Sequence, residues 1–201
     1  MEPEIRPATA ADLPQARDTL AAAYAGAAWT SWVVDPQDHE QRLAALYAIY
    51  LRVALELGAV HVTADGQGVA AWTFSGAERA QAELLAREGL DARVAELSGE
   101  RIENLGHAAR LLTPHALTGD FWTLAALGVH PSRQRRGIGT RLLQPMLDRL
   151  DAEGHTADLE TSTPENVKLY ERLGFTVRAE EQMPAGGPHV WLMVRRPRQP
   201  R

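Results

Sequence analysis

One glycine-containing segment with three arginines is well suited to bind an anion. Gly137 and Gly139 follow an apolar run and open a helix predicted to extend to about Gly154. The N-terminus of a helix has unpaired N–H groups and a positive dipole end, so it binds anions without a dedicated side chain. The residues from Gln134 to Thr140 therefore fit a pyrophosphate. Positive potential is added there by Arg133, Arg135 and Arg136.

Two other nucleotide-binding motifs do not match this segment. It lacks the Gly-Lys-Ser/Thr ending of a P-loop. Leu142 stands where the third glycine of a Gly-x-Gly-x-x-Gly dinucleotide motif belongs. The structural alternative is a glycine-containing loop whose arginines are only solvated.

A second segment combines an amide with a phenol. Asn166 and Tyr170 are four residues apart in a predicted helix and share one face, whereas Leu169 and Leu173 point to a buried face. Tyr170 is a candidate acid, or alternatively a half-buried packing residue. In the strand before this helix, alternation places Asp158, Glu160 and Ser162 on one face.

The elements that must position these segments alternate along the chain. A short strand is predicted at Ile5, and a helix from an N-cap at Thr9 to about Tyr24. The remaining predictions are an aromatic loop at 28–33, a helix at 38–57, a hairpin at 60–64 and 69–74, two or three short helices within 78–112, a strand buried on both faces at 121–129, a strand at 157–162, a helix at 164–173, and strands at 176–183 and 189–194. This order predicts a mixed α/β sheet with at least one parallel crossover.

Composition excludes several classes of protein. The chain has 201 residues and a formal net charge of −5, which argues against a nucleic-acid partner. No cysteine is present, so disulfides and thiolate metal sites are excluded, and we predict no metal site. No signal peptide or membrane span is predicted, and the expected location is the cytoplasm. We expect one domain over 1–195 and a basic tail over 196–201, the end from Arg195 being solvated.

The pattern Gln134-x-x-Gly137-x-Gly139 after a strand, followed by Asn166-x-x-x-Tyr170 and Leu173-Gly174-Phe175, resembles the GNAT superfamily of acetyl-CoA-dependent N-acyltransferases. Within it, the sequence is most similar to the enzymes that acetylate puromycin. The segments that carry this closer similarity are 33–36, 69–73, 95–99, 159–162 and 170–177. The resemblance implies a GNAT-like fold with a twisted mixed sheet of about six to seven strands, helices on both faces, and two central parallel strands that splay for the cofactor.

The resemblance also implies residues that bind acetyl-CoA. Leu127 and Val129 would bond the amides of its pantetheine arm, Asn166 would face that arm, and Tyr170 would face the sulfur. The pyrophosphate would lie on the N–H groups of Gln134, Arg135, Arg136, Gly137, Ile138, Gly139 and Thr140. A backbone N–H near Val129 would hold the developing oxyanion. Tyr170 would protonate the leaving thiolate, because an unperturbed phenol (pKa about 10) lies close to an alkyl thiol (pKa about 8.5).

The implied reaction is direct attack of a neutral primary amine on the thioester. Glu160 is the first candidate for the base, directly or through water, and His130 the second. An equal alternative is that the Glu160 carboxylate holds a nearby loop by hydrogen bonds. The expected acceptor is puromycin or a related aminonucleoside, which would confer antibiotic resistance. The residues expected to contact it are Tyr24, Trp29, Trp32, Tyr50 and Glu160.

Several alternatives stay open. The aromatic residues are equally compatible with an ordinary core. The acceptor is alternatively a peptide N-terminus, a polyamine or another aromatic amine. A non-catalytic acetyl-CoA-binding module is a further alternative. The expected partner is a small-molecule amine, with the protein a monomer or homodimer.

Overall fold

Residues 3–198, the part of the chain that the computed structural model describes, form one mixed sheet of seven strands. They are Ile5–Pro7 (β1), Gly58–Thr63 (β2), Gly68–Phe74 (β3), Phe121–Val129 (β4), Thr156–Thr161 (β5), Thr176–Gln182 (β6) and His189–Arg195 (β7). The order across the sheet is β1-β2-β3-β4-β5-β7-β6. β4 and β5 are parallel, and the other neighbours are antiparallel. The predicted mixed α/β sheet is confirmed.

Helices cover both faces of the sheet, as predicted. They are Leu13–Tyr24 (α1), Ala28–Val33 (α2), His39–Leu57 (α3), Glu78–Glu88 (α4), Leu90–Ser98 (α5), Ile102–Leu112 (α6), Ile138–Glu153 (α7) and Pro164–Arg172 (α8). Side chains of α1, α2 and α3 pack on one face, and those of α7 and α8 pack on the other. α1 approaches β4 closely at Gly128, where an added Cβ would lie 2.7 Å from the Leu20 side chain.

The alternation of side chains along β3 explains why there are two cores. Val69 and Ala71 belong to the core under α1 and α3, whereas Ala70 and Trp72 belong to the core under α7. All four residues are fully buried. β3, which is apolar at every position from Val69 to Trp72, therefore lies at the centre of the fold with a helical layer on each side.

The two parallel strands stay paired over only part of their length. The β4–β5 register runs from Phe121 opposite Thr156 to Leu124 opposite Leu159. β4 nevertheless continues to pair with β3 as far as Val129, with a bulge between the partners of Ala71 and Trp72. The second half of β4 therefore has an edge that β5 does not pair, which agrees with the predicted splay.

Two local predictions were wrong. Residues 28–33 were expected to be a loop and instead form α2. The strand at 121–129 was expected to be buried on both faces, but every second residue of β4 is partly exposed. Its apolar run is compatible with both arrangements, and the exposed face borders the cavity described below.

The end of the chain also differs from expectation. Arg195 is buried, and its guanidinium donates to both carboxylate oxygens of Asp151 at 2.8 and 2.6 Å and to the Leu173 carbonyl at 3.0 Å. The N–H of Arg198 donates to Asp151 at 2.8 Å. The predicted tail is thus held against α7 as far as Arg198, and its residues 199–201 lie outside the described part.

Candidate active site

A cavity of about 890 Å³ opens where β4 and β5 part. At one end it is lined by Val129, Gln134 and Asn166, and at the other by side chains of α3, α4, α5 and α6. Tyr170 and Glu160 both line it. One continuous space therefore joins the segment predicted to bind pyrophosphate, the proposed acid and the proposed base.

The segment after β4 has the form expected of an anion site. Gln134 to Gly137 are exposed, and α7 begins immediately afterwards at Ile138. Gly137 is the N-cap with φ 74°, and an added Cβ there would meet no atom within 4 Å. Arg135 has φ 60°, an uncommon value for a residue other than glycine. This backbone leaves the first N–H groups of α7 accessible to a ligand.

Gln134 connects this segment to the strand. Its side-chain amide donates to the Val129 carbonyl at 3.0 Å. His130, the second candidate base, accepts from Ser132 N–H at 3.4 Å and lies 2.9 Å from the Ser132 hydroxyl. His130 is not among the described residues that line the cavity, whereas Glu160 is.

At Leu127, a tyrosine side chain hydrogen-bonds the edge of β4 that β5 does not pair. The hydroxyl of Tyr24 donates to the Leu127 carbonyl at 2.9 Å and accepts from the Leu127 N–H at 3.2 Å. Leu127 is one of the two residues, with Val129, whose backbone was expected to bond the cofactor. Burial raises the pKa of Tyr24, partly offset by the bond to Leu127.

Tyr170 lies in the wall of the cavity with 5% of its surface exposed. Its ring packs edge-on against Phe175, with centroids 5.8 Å apart. Its hydroxyl makes no hydrogen bond to another residue in the described part of the chain. Burial, followed by the nearby Tyr24, raises the pKa of Tyr170 well above 10. The phenol is thus protonated at any physiological pH, and the near balance expected for an unperturbed phenol and a thiol does not hold in this environment.

Glu160 has a different environment from Asp158, its neighbour on the same face of β5. Glu160 faces the cavity and is reached by solvent through it. Asp158 instead has two partners in the protein. Its carboxylate accepts from the Thr123 hydroxyl at 2.6 Å and lies 3.6 Å from the Arg178 guanidinium. Burial raises the pKa of Glu160, Asp158 raises it further, and Arg178 opposes them.

Of the aromatic residues expected to contact the acceptor, three line the cavity: Tyr24, Trp29 and Tyr50. The expectation for Trp32 was wrong. Trp32 is 6% exposed, belongs to the core and lies so close to Gly187 that an added Cβ there would be 2.7 Å from its ring. In the helix formed by 28–33, Trp29 and Trp32 are three residues apart and their rings lie 5.6 Å from each other. Trp32 is buried because it also packs against Gly187, whereas Trp29 lies at the cavity.

Comparison with protein families identifies the family to which this chain belongs. Residues 68–175, more than half of the chain, match the Acetyltransferase (GNAT) family. The chain belongs to this family. It is therefore an acetyltransferase, and enzymes of this family use acetyl-CoA. The matched residues include β3, β4, β5, α7 and α8.

Solved structures share the fold of this GNAT acetyltransferase. A protein from Corynebacterium glutamicum described as "histone acetyltransferase HPA2 and related acetyltransferase" is 22% identical, with a TM-score of 0.74 and coverage of 100% of this chain and 99% of that one. Arylalkylamine N-acetyltransferase 2 from Aedes aegypti is 11% identical, with a TM-score of 0.66 and coverage of 98% and 99%. The polyamine N-acetyltransferase of Drosophila melanogaster is 16% identical, with a TM-score of 0.61 and coverage of 97% and 100%.

The residues of the GNAT site fit acetyl-CoA. The open space beside Gly137 and the accessible start of α7 suit its diphosphate. The unpaired edge of β4 offers backbone groups to an amide-containing arm, since Val129, two residues after Leu127, faces the same edge. Tyr170 supplies a hydroxyl on the cavity wall that has no hydrogen-bond partner among the described residues. The backbone of Leu127 can bond acetyl-CoA only if the cofactor replaces its hydrogen bonds to the Tyr24 hydroxyl.

Some features of the GNAT site were not predicted. Arg178, the residue at a bulge in β6, approaches Asp158 and donates to the His115 carbonyl, and His115 lies 2.7 Å from Glu181. Asp91 and Ile102 line the far end of the cavity. Their elements lie far apart in the sequence, and no local spacing relates them.

In the described part of the chain, no helix is long and apolar enough to cross a membrane. Among the same residues, no cluster of three His, Asp or Glu side chains forms a metal site.

Proposed function

We propose that this acetyltransferase transfers an acetyl group from acetyl-CoA directly to the primary amine of a small molecule, an aminonucleoside of the puromycin type being the leading candidate. The observation that carries the proposal is the single cavity that joins Gln134, in the segment before α7, to Tyr170 and Glu160. Direct transfer requires the donor and the acceptor to be bound at the same time. A continuous cavity suits that requirement.

The start of α7 and the free edge of β4 orient the donor. When bound, acetyl-CoA supplies an acetyl group activated as a thioester. The N–H groups from Gln134 to Thr140 hold its diphosphate, and Val129 N–H faces the edge on which the acyl oxygen is held. Asn166 is exposed on the adjacent helix, where its amide can bond the same arm.

Tyr170 holds a proton at its phenolic oxygen and gives it to the sulfur as the carbon–sulfur bond breaks. Its raised pKa keeps the proton in place beforehand. The same apolar surroundings disfavour a buried thiolate, so they raise the proton affinity of the acceptor as well as that of the donor. A buried phenol can therefore act as the acid although its pKa lies above 10.

Glu160 takes the proton that the amine loses as the new carbon–nitrogen bond forms, directly or through water. An α-amino group with a pKa of about 7.7–8.0 is already roughly one-tenth to one-fifth neutral at pH 7, whereas a lysine amine is neutral to only about 0.04%. The amine of puromycin belongs to an aminoacyl group, so a weak base such as a carboxylate is sufficient.

Support for the acceptor comes from the cavity wall and from relatives. Trp29 and Tyr50 offer aromatic surface on which flat substrate groups can pack. The sequence resemblance favours puromycin, whereas the structural relatives include enzymes named for arylalkylamines, polyamines and a ribosomal-protein alanine. We therefore keep other small amines as the second candidate. A cytoplasmic enzyme, monomeric or homodimeric, is part of the proposal.

Thiol release from acetyl-CoA tests the proposal. The acceptors to compare are puromycin, tryptamine, spermidine, agmatine and a peptide with an N-terminal alanine. We expect turnover with puromycin to exceed that with the others. Turnover only with another amine would overturn the puromycin assignment and keep the enzyme class. Binding of coenzyme A without transfer to any of them would instead support a binding module.

A further inference from the structure

The charge on the cavity wall has one sign. Among the described residues that line the cavity, the charged side chains are Asp91 and Glu160, and no lysine, arginine or histidine is present. Arg178, which is close enough to Glu160 to affect its pKa, directs its guanidinium to Asp158 and the His115 carbonyl. Asp91 is exposed and makes no ion pair with another described residue.

Apart from Asp91, the far end of the cavity is lined mainly by apolar side chains. Among the described residues, the large hydrophobic side chains that stay exposed are Tyr50 and Ile102, 39% each, and both line this cavity. Leu85 and Val94 line it from α4 and α5. Apolar side chains that stay exposed around a concave site commonly mark the surface that binds a ligand.

We propose that the acceptor is a primary amine on an apolar body that carries no anionic group, and that Asp91 determines the exclusion of anionic amines. This inference rests on the proposed function and names its substrate class. A carboxylate on the acceptor would share the cavity with Asp91 and Glu160, and none of the described residues that line the cavity is a cation. Asp91 is exposed, so water weakens its repulsion of a carboxylate, but no cationic lining residue offsets it. An amide at the same position is neutral and avoids that repulsion.

The position of Asp91 also has a structural interpretation. It lies in the first turn of α5, where an acidic residue is favourable to the helix dipole. Glu40 has the equivalent position in α3 and is not among the cavity-lining residues. Glu40→Gln is therefore the matched control for Asp91→Asn, since both remove a first-turn charge and only one removes it from the cavity.

The test compares two product analogues that lack an ionisable amine. N-acetylphenylalanine amide and N-acetylphenylalanine differ in the carboxylate, and calorimetry with coenzyme A present measures their affinities. We expect the wild type to bind the amide at least about tenfold more tightly. Asp91→Asn is expected to narrow this ratio several-fold by improving binding of the carboxylate, and Glu40→Gln is expected to leave it unchanged.

Equal affinities in the wild type, or no detectable binding of the amide, would overturn the proposed substrate class. A ratio unchanged by Asp91→Asn would overturn the role of Asp91. Acetyl transfer to phenylalanine amide is measured alongside with the wild type. Failure of that transfer to this and every other amine would count against the proposed function, whereas the binding ratio tests the exclusion of anions separately.

Discussion

The hydroxyl of Tyr24 bonds both backbone groups of Leu127, donating to the carbonyl at 2.9 Å and accepting from the N–H at 3.2 Å. Leu127 lies in the half of β4 that β5 does not pair. One phenol from α1 thus makes the two hydrogen bonds that a neighbouring strand would otherwise make to this residue. The opening between β4 and β5 is compatible with a stable sheet because these groups are satisfied.

Removing that hydroxyl should destabilise the free protein. Tyr24→Phe leaves a buried N–H and C=O without their partner, which costs about 1–3 kcal/mol. We expect a corresponding loss in the free energy of unfolding measured with urea. Tyr50→Phe is the control, because the Tyr50 hydroxyl makes no hydrogen bond to a described residue. Equal stability of the two variants would contradict this account of the opening.

The proposed acid is tested by Tyr170→Phe. The substitution keeps the ring that packs on Phe175 and removes the proton that is to be donated. A positioned general acid contributes roughly 10²–10⁴ in rate, so kcat should fall by about that factor. Coenzyme A affinity, measured by calorimetry, should change little. Turnover that survives the substitution would remove Tyr170 from the proposed chemistry.

Glu160 should lower stability at neutral pH. Its folded-state pKa lies above its ordinary value of 4.5, chiefly because burial disfavours the charged form and secondly because Asp158 lies nearby. The cost to the free energy of unfolding is therefore absent below the unfolded-state pKa, where the carboxyl is protonated in both states. It grows as the pH rises through the folded-state pKa. We expect Glu160→Gln to be more stable than the wild type at pH 7.5 and the difference to shrink towards pH 4, as measured by urea unfolding.

The opposite trend, with Glu160→Gln less stable at pH 7.5, would show that the carboxylate is paired in solution. Activity provides the second measurement. If Glu160 is the base, the glutamine variant loses most of its kcat/KM, and the loss is greatest for amines of high pKa, since these need a base more.

The start of α7 is tested with two glycines that have similar backbone geometry. Gly137 has φ 74° and Gly154, beyond the other end of α7, has φ 77°, and an added Cβ meets no atom within 4 Å at either. An alanine in this conformation costs about 1–2 kcal/mol. Both alanine variants should lose similar stability, but only Gly137→Ala should weaken coenzyme A binding. Equal effects on binding would count against an anion site at Gly137.

The contact between Arg195 and Asp151 should stabilise the end of the chain. The Arg195 side chain is 3% exposed, and Asp151→Asn would leave its charge buried without a counterion. Breaking such a pair costs about 3–5 kcal/mol. The control is Asp148→Asn on the same helix, an exposed carboxylate bonded to Gln144. A thermal midpoint that falls for both variants alike would contradict this prediction.

The order of helices and strands could be predicted largely from the sequence. Periodicity of apolar residues, capping residues and turn glycines act over a few positions, so they identify the hairpin, α7 and α8 without tertiary information. The spacing of Gln134, Gly137 and Gly139 also lies within one turn and its helix, which is why the candidate anion site was found.

Only the tertiary structure decided which distant residues meet. The Tyr24–Leu127 bond joins residues 103 positions apart, and Asp91 reaches the cavity from a helix with an uninformative sequence. Trp32 and Arg195 were misassigned because an aromatic residue in a loop and an arginine near a terminus are usually accessible. Their burial depends on packing partners brought together by the sheet, Gly187 and Asp151, which no local pattern encodes.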